Sequence, residues 1–225
     1  MIRMVVVSAG LSQPSSTRLL ADRLTDSVRD HLLVRDERVD VTVVELRELG
    51  QDVMNAMLTG GMRSTRLIEA GAAIAAADGV VAVTPVFTAS YSGLFKSFFD
   101  VLDPGVLVGT PVVVAATAGT ERHSMVLDHA LRPMFTYLRA VVVPTGVFAA
   151  TSDFGADGSA VAGGLASRIS RAAEELSAQM VTPAHHGVEP GRPRAPRHTD
   201  ALSEAEAAEA DGSFTPFEQL LGRPT

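Results

Sequence analysis

The chain of 225 residues has no cysteine and no tryptophan, and aromatic residues make up only 5% of it. Without cysteine there is no disulfide, no thiol nucleophile and no zinc–thiolate site. Positive charge is also short: 19 Lys and Arg against 26 Asp and Glu leave a net charge of −7. That balance, with an isoelectric point near 5.3, argues against a nucleic-acid partner. Long apolar runs are missing too. Val106 to Ala118 is broken by Gly109 and Pro111, so no segment is long enough to cross a bilayer as a helix and no membrane partner is expected. Ile2 to Val7 reads as a strand rather than a basic n-region followed by an apolar h-region, so a cytoplasmic location is expected. The Gly-x-Ser-x-Gly, P-loop and Gly-x-Gly-x-x-Gly signatures are absent, and no acid, base or nucleophile stands out as catalytic. The pair His185-His186 has no carboxylate at ligand spacing, and no metal site is expected there.

What is present is a regular alternation. At 46% hydrophobic, the chain can bury a sizeable core, as one domain plus an appendage. Apolar β-branched runs predict strands at Ile2–Ser8, Val39–Leu46, Gly79–Thr84, Pro111–Thr117 and Val141–Ala149. Helical spacing predicts helices over Ser16–Val34, Thr65–Ala77, Gly93–Leu102, Arg122–Arg139 and Ala160–Val181. Strands that are nearly all apolar belong to a buried parallel sheet with helices on both faces. The expected fold is therefore α/β, a doubly wound five-stranded parallel sheet, with its ligand beyond the carboxyl ends of the strands.

The loops at that edge are unusual. After the first strand, Gly10-Leu11-Ser12-Gln13-Pro14-Ser15-Ser16-Thr17 leads straight into a helix. Free helix amides, the positive end of the helix dipole and up to four hydroxyls (Ser12, Ser15, Ser16, Thr17) suit a phosphate monoester. The competing reading is that Ser15 or Ser16 only caps the helix. After the third strand, Pro85 is expected to end the ladder. Val86, Phe87, Thr88 and Tyr91 follow in a loop otherwise made of small polar residues. Aromatics among hydroxyls suit a planar ring that needs stacking and edge hydrogen bonds, although Phe87 and Tyr91 also read as core or interface packing. After the fourth strand, Ala118, Gly119 and Thr120 let backbone approach such a ring closely.

On these motifs the chain resembles the NADPH-dependent FMN reductases of flavodoxin-like fold, in particular those that serve two-component monooxygenases. Gly10 to Thr17 matches their Ser/Thr-rich first loop. Pro85, Phe87, Ser90, Gly93 and Lys96, followed by Asp100, match their second motif, and His123, Asp128, Leu131, Arg132 and Pro133 match the third. The resemblance covers residues 2 to 181. It implies hydride transfer from NADPH or NADH to FMN, in which the cofactor carries the chemistry and the protein supplies position and electrostatics. It also implies FMN contacts at the three loops, with His123 among them, and a homodimer or homotetramer. A flavin-dependent monooxygenase is the implied partner. Two departures stand out: Ser12 replaces a frequent arginine, leaving amides, hydroxyls and Arg18 to meet the phosphate, and His129 takes the place of an interface tyrosine. A flavodoxin-type electron carrier and a quinone or azo reductase remain alternatives.

The segment Arg122–Arg139 carries a wide apolar face (Met125, Val126, Leu127, Leu131, Met134, Phe135, Leu138), which is expected to serve both the sheet and a neighbouring subunit. Residues 1–181 read as the flavin-binding domain and 182–225 as a Pro-rich, acidic tail. That tail ends in Ser213 to Leu221, where two phenylalanines and two leucines make either an apolar anchor or a solvated end.

Overall fold

The structure, a computed structural model, describes residues 1–155 and 164–181. The proposed tail therefore lies outside the described residues. Elements follow in the order β1 (Ile2–Ser8), α1 (Ser16–Leu33), β2 (Val39–Glu45), α2 (Leu46–Leu58), α3 (Thr65–Ala75), β3 (Gly79–Phe87), β4 (Ser90–Tyr91) and α4 (Gly93–Asp100). Then come β5 (Pro111–Ala118), a 3₁₀ turn (Glu121–His123), a π-helical turn (Leu127–Leu131) and α5 (Arg132–Tyr137). The described chain closes with β6 (Val141–Val142), β7 (Val147–Ala150), a second 3₁₀ turn (Thr151–Phe154) and α6 (Leu165–Val181).

The sheet runs β2-β1-β3-β5-β6, with β7 also on β5, and these pairings are parallel. With β6 and β7 counted as one interrupted strand, this is the 2-1-3-4-5 order of flavodoxin-like folds. Side chains alternate across it. Val5, Val7, Val80, Ala82, Val112 and Val114 pack beneath α2, α3, α4 and α5, whereas Met4, Val6, Val81, Val83, Val113 and Ala115 pack beneath α1 and α6. Both faces are covered, which is why the central strands carry almost no polar residue. Edge-to-face contacts among Phe95, Phe99 and Phe135, at 5.0 to 6.2 Å between centroids, lock α4 against α5.

Three sequence expectations are corrected, and one helix is added. Pro85 does not end β3. It holds the last parallel position opposite Thr117, where its missing N–H breaks little of the ladder. The strand then runs to Phe87 and folds back as β4, pairing Val86 with Tyr91 and Phe87 with Ser90.

The fifth strand is split. Val142 pairs with Val112 and Val147 with Ala115, so four residues bulge out against two. Pro144 lacks a donor there, and Arg132 donates to the carbonyls of Val143 and Pro144, filling the break.

The helix expected over Arg122–Arg139 is three pieces. Pro133 sits in the first turn of α5, where it supplies no N–H for the preceding turn. The amide of Arg132 donates instead to Leu127, five residues back, which is the wider π pattern. Its apolar face is also spent at home: Val126, Leu127, Leu131 and Phe135 are buried in the chain's own core, and Met134 and Leu138 pack against it. Met125 alone of that set stays open to solvent, at 55% exposure.

Finally, α2 was not foreseen, although Leu46, Leu49, Val53 and Ala56 are its buried face at helical spacing.

Candidate functional site

Three loops meet at the carboxyl edge of the sheet. The first leaves β1 after Ser8 and enters α1 at Ser16, with a cis peptide between Gln13 and Pro14. Gly10 is required here, since a Cβ on it would lie 2.0 Å from the Ser15 hydroxyl. Ser15 is the N-cap, and its hydroxyl accepts a hydrogen bond from the Arg18 amide at 3.2 Å. The amides of Ser16 and Thr17, in the same first turn, have no intrahelical acceptor. Ser12 and Ser16 are exposed, and their hydroxyls have no hydrogen bond among the described residues. Beneath the loop, the Ser8 hydroxyl is fully buried without a partner.

Two residues expected to face a phosphate do something else. Thr17 is buried, and its hydroxyl shares a 2.8 Å hydrogen bond with that of Thr117 at the end of β5. This ties the first loop to the third across the face under α1. Arg18 is held sideways: its guanidinium pairs with Asp22 at 2.7 Å and with Glu45. Its hydrogen bonds to the carboxylates of Asp22 and then Glu45 raise its pKa above the ordinary arginine value, so its charge is already matched. Arg47 stands 4.0 Å from Glu45 and meets the side-chain amide of Gln13, bracing the outer side of the loop.

The second loop is the β3–β4 hairpin. Its two turn residues, Thr88 (φ 49°) and Ala89 (φ 64°), are both in the left-handed region, where two-residue hairpins ordinarily use Asn-Gly. A β-branched residue there is strained. The scaffold compensates through Thr84, whose hydroxyl donates to the Pro85 carbonyl at 2.9 Å and accepts from the Ser92 amide at 3.0 Å. Ser92 in turn caps α4. The two aromatics separate in role: Phe87 is 47% exposed, whereas Tyr91 is half-buried and tilts against Phe95 at 6.3 Å. Pro85 and Val86 are half-buried.

The third loop follows β5. Ala118 is half-buried, and Gly119, Thr120 and His123 are exposed. Other residues singled out from the sequence turn out to build the scaffold. Lys96 pairs with Asp100 along α4. Asp128 pairs with Arg132 at 2.9 Å, aiming the guanidinium that fills the β6–β7 break, and Leu131 is in the core.

Taken together, the edge offers free helix amides and hydroxyls at one end, an exposed aromatic on a strained hairpin in the middle, and small residues opposite. That donor set suits a phosphate joined to a flat heteroaromatic ring, and among the described residues the cations beside the first loop, Arg18 and Arg47, are paired with carboxylates. Among the described residues no group of histidine, aspartate and glutamate is arranged to hold a metal ion, and no helix is long and apolar enough to cross a membrane.

Comparison with known proteins points the same way. The family model described as NADPH-dependent FMN reductase matches residues 2–155. The NADH-dependent FMN reductase SfnE of Pseudomonas putida is 37% identical over 188 residues, which cover 83% of this chain and 96% of that protein. Among solved structures, an oxidoreductase from Corynebacterium diphtheriae is 52% identical with a TM-score of 0.76, covering 80% of this chain and 97% of that one. The apo form of the NADH:FMN oxidoreductase EmoB is 28% identical with a TM-score of 0.67, over 81% and 91% of the two chains.

Proposed function

The chain belongs to the NADPH-dependent FMN reductase family, and we propose that it uses NADPH or NADH to reduce FMN as a diffusible substrate, which then serves a separate flavin-dependent monooxygenase. The observation that carries this reading is the convergence of three loops at one sheet edge, with unbonded helix amides and, among the described residues, no unpaired cation at the end proposed for the phosphate. When bound, the flavin supplies the ring that accepts the hydride.

The protein's own part is positional. The amides of Ser16 and Thr17 and the hydroxyls of Ser12, Ser15 and Ser16 receive the phosphate, while Thr17 spends its hydroxyl on the scaffold. A hydrogen bond to a charged group contributes about 1.5–3 kcal/mol. Several such bonds dock the phosphate, and because the guanidiniums beside the loop, Arg18 and Arg47, are paired with Asp22 and Glu45, it is left able to depart. Pro85, Val86, Phe87, Thr88 and Tyr91 would form one wall for the ring, the hairpin backbone offering hydrogen-bond groups to it. Ala118, Gly119, Thr120 and His123 form the other, where the lack of bulk admits the nicotinamide.

The same proposal includes self-association as a dimer or tetramer. It is supported by the exposed apolar residues Met54, Met57, Leu58, Met62 and Ile68, clustered on α2, the turn after it and α3, and no longer by the face of Arg122–Arg139.

The test is a steady-state assay on protein freed of flavin. A colourless protein that consumes NADH or NADPH only when FMN is added supports the reading. A protein that keeps its flavin through purification and turns over neither nucleotide is a carrier instead.

A further inference from the structure

One cavity at this edge shares only His123 with the flavin contacts proposed above. It measures about 380 Å³ and lies between the tip of the β3–β4 hairpin (Ala89, Ser90) and the segment after β5 (Arg122, His123, Met125, Val126, His129, Ala130). Its volume falls within the range of small-molecule pockets. Three of its lining side chains, Arg122, His123 and His129, are nitrogen donors. Among the described residues none of the three has a side-chain hydrogen bond or ion pair, and no carboxylate lines the cavity. The nearby Asp128 is committed to Arg132. In a chain of net charge −7, an uncompensated guanidinium flanked by two imidazoles is a local site for an anion.

We infer that this cavity binds a phosphate of the nicotinamide dinucleotide, with Arg122 as its main contact; the inference rests on the proposed NAD(P)H:FMN reaction. The flavin phosphate is assigned to a different loop, at the start of α1, so a second anion is needed to explain a second site. A nicotinamide lying on the flavin ring must lead its phosphates off across the adjoining surface. The cavity adjoins that surface, since Ser90 pairs with Phe87 in the hairpin and His123 lines the cavity as well as one wall of the proposed ring site. A guanidinium presents paired donors that match phosphate oxygens, whereas Met125 and Val126 offer an apolar floor for the attached ribose.

The experiment compares wild type, Arg122→Ala and Arg122→Lys, with KM and kcat measured for NADH and NADPH at saturating FMN. Calorimetric titration of the FMN-saturated proteins with NAD⁺ and NADP⁺, and fluorescence titration with FMN, accompany it. Arg122 is exposed, so its replacement leaves the fold intact. The Ala variant is expected to raise KM and weaken nucleotide binding by about ten- to a hundredfold. The kcat and the FMN dissociation constant should stay unchanged, and Lys should recover part of the loss. Loss with both nucleotides assigns the pyrophosphate, and loss with NADPH and NADP⁺ alone assigns the 2′-phosphate. Unchanged KM and calorimetry for both nucleotides overturn the inference, as does an equal fall in FMN affinity. Should wild type consume neither nucleotide with FMN, the proposed reaction itself fails, and the titrations still decide whether the cavity binds a dinucleotide.

Discussion

Ser15 has two jobs that a pair of substitutions can separate. Its hydroxyl caps α1 by accepting from the Arg18 amide, and in the proposed site it also donates to the flavin phosphate. Ser15→Ala removes both. Loss of a cap costs about 1 kcal/mol, which for a domain of this size lowers Tm by roughly 2–4 °C. Loss of a hydrogen bond to a charged acceptor costs about 1.5–3 kcal/mol, or one to two decades in FMN affinity. Ser15→Asp keeps the cap, because aspartate ranks with serine at that position, but it places a carboxylate beside the phosphate. Two like charges roughly 5 Å apart repel by about 1–3 kcal/mol at a protein surface, in addition to the lost donor. The expected pattern is therefore a lower Tm and weaker FMN binding for Ala, with near-normal Tm and still weaker binding for Asp. Differential scanning calorimetry and FMN fluorescence quenching read the two effects independently. A Ser15→Asp protein that binds FMN as tightly as wild type would refute the placement of the phosphate.

Three other outcomes follow from the geometry. Thr117→Val strands the buried Thr17 hydroxyl and is expected to cost about 1–3 kcal/mol in urea unfolding; the double variant Thr17→Val/Thr117→Val should recover part of that, and strict additivity would contradict the pair. Ala89→Gly relieves a left-handed residue at φ 64° and should stabilise the protein by up to about 1 kcal/mol, so an unchanged or lowered unfolding midpoint counts against strain in the hairpin. Light scattering at micromolar concentration should give a multiple of 23.6 kDa, reduced by Leu58→Asp on the exposed face of α2; a monomeric wild type would remove self-association from the account.

Much of the fold could be read in advance because its signals are local. Unbroken runs such as Val5-Val6-Val7 and Val112-Val113-Val114 are what a sheet covered on both faces requires, and the small-residue loops at their ends mark the ligand edge. The losses have specific causes. Pro85 reads as a terminator from its missing N–H alone, but at the end of the ladder, opposite Thr117, that loss is small. The hairpin beyond it turns on Thr88 and Ala89, which carry none of the usual Asn-Gly signal. Arg18 and Thr17 sit in the proposed phosphate loop by position, yet Arg18 is engaged by Asp22 one turn on, an i,i+4 spacing legible in the sequence, and by distant Glu45, whereas nothing local reveals that Thr17 is spent on Thr117. The apolar face of residues 122–139 is real, but periodicity cannot say whether a helix spends such a face on its own core or on a neighbour.

The most direct test of the central claim is anaerobic. A trace of purified protein is mixed with a large excess of free FMN and with NADH or NADPH, and the visible absorbance of oxidised flavin is followed. A reductase acting on diffusible flavin bleaches the whole excess through many turnovers. Bleaching that stops at one equivalent of flavin per chain, or none with either nucleotide, would contradict the account.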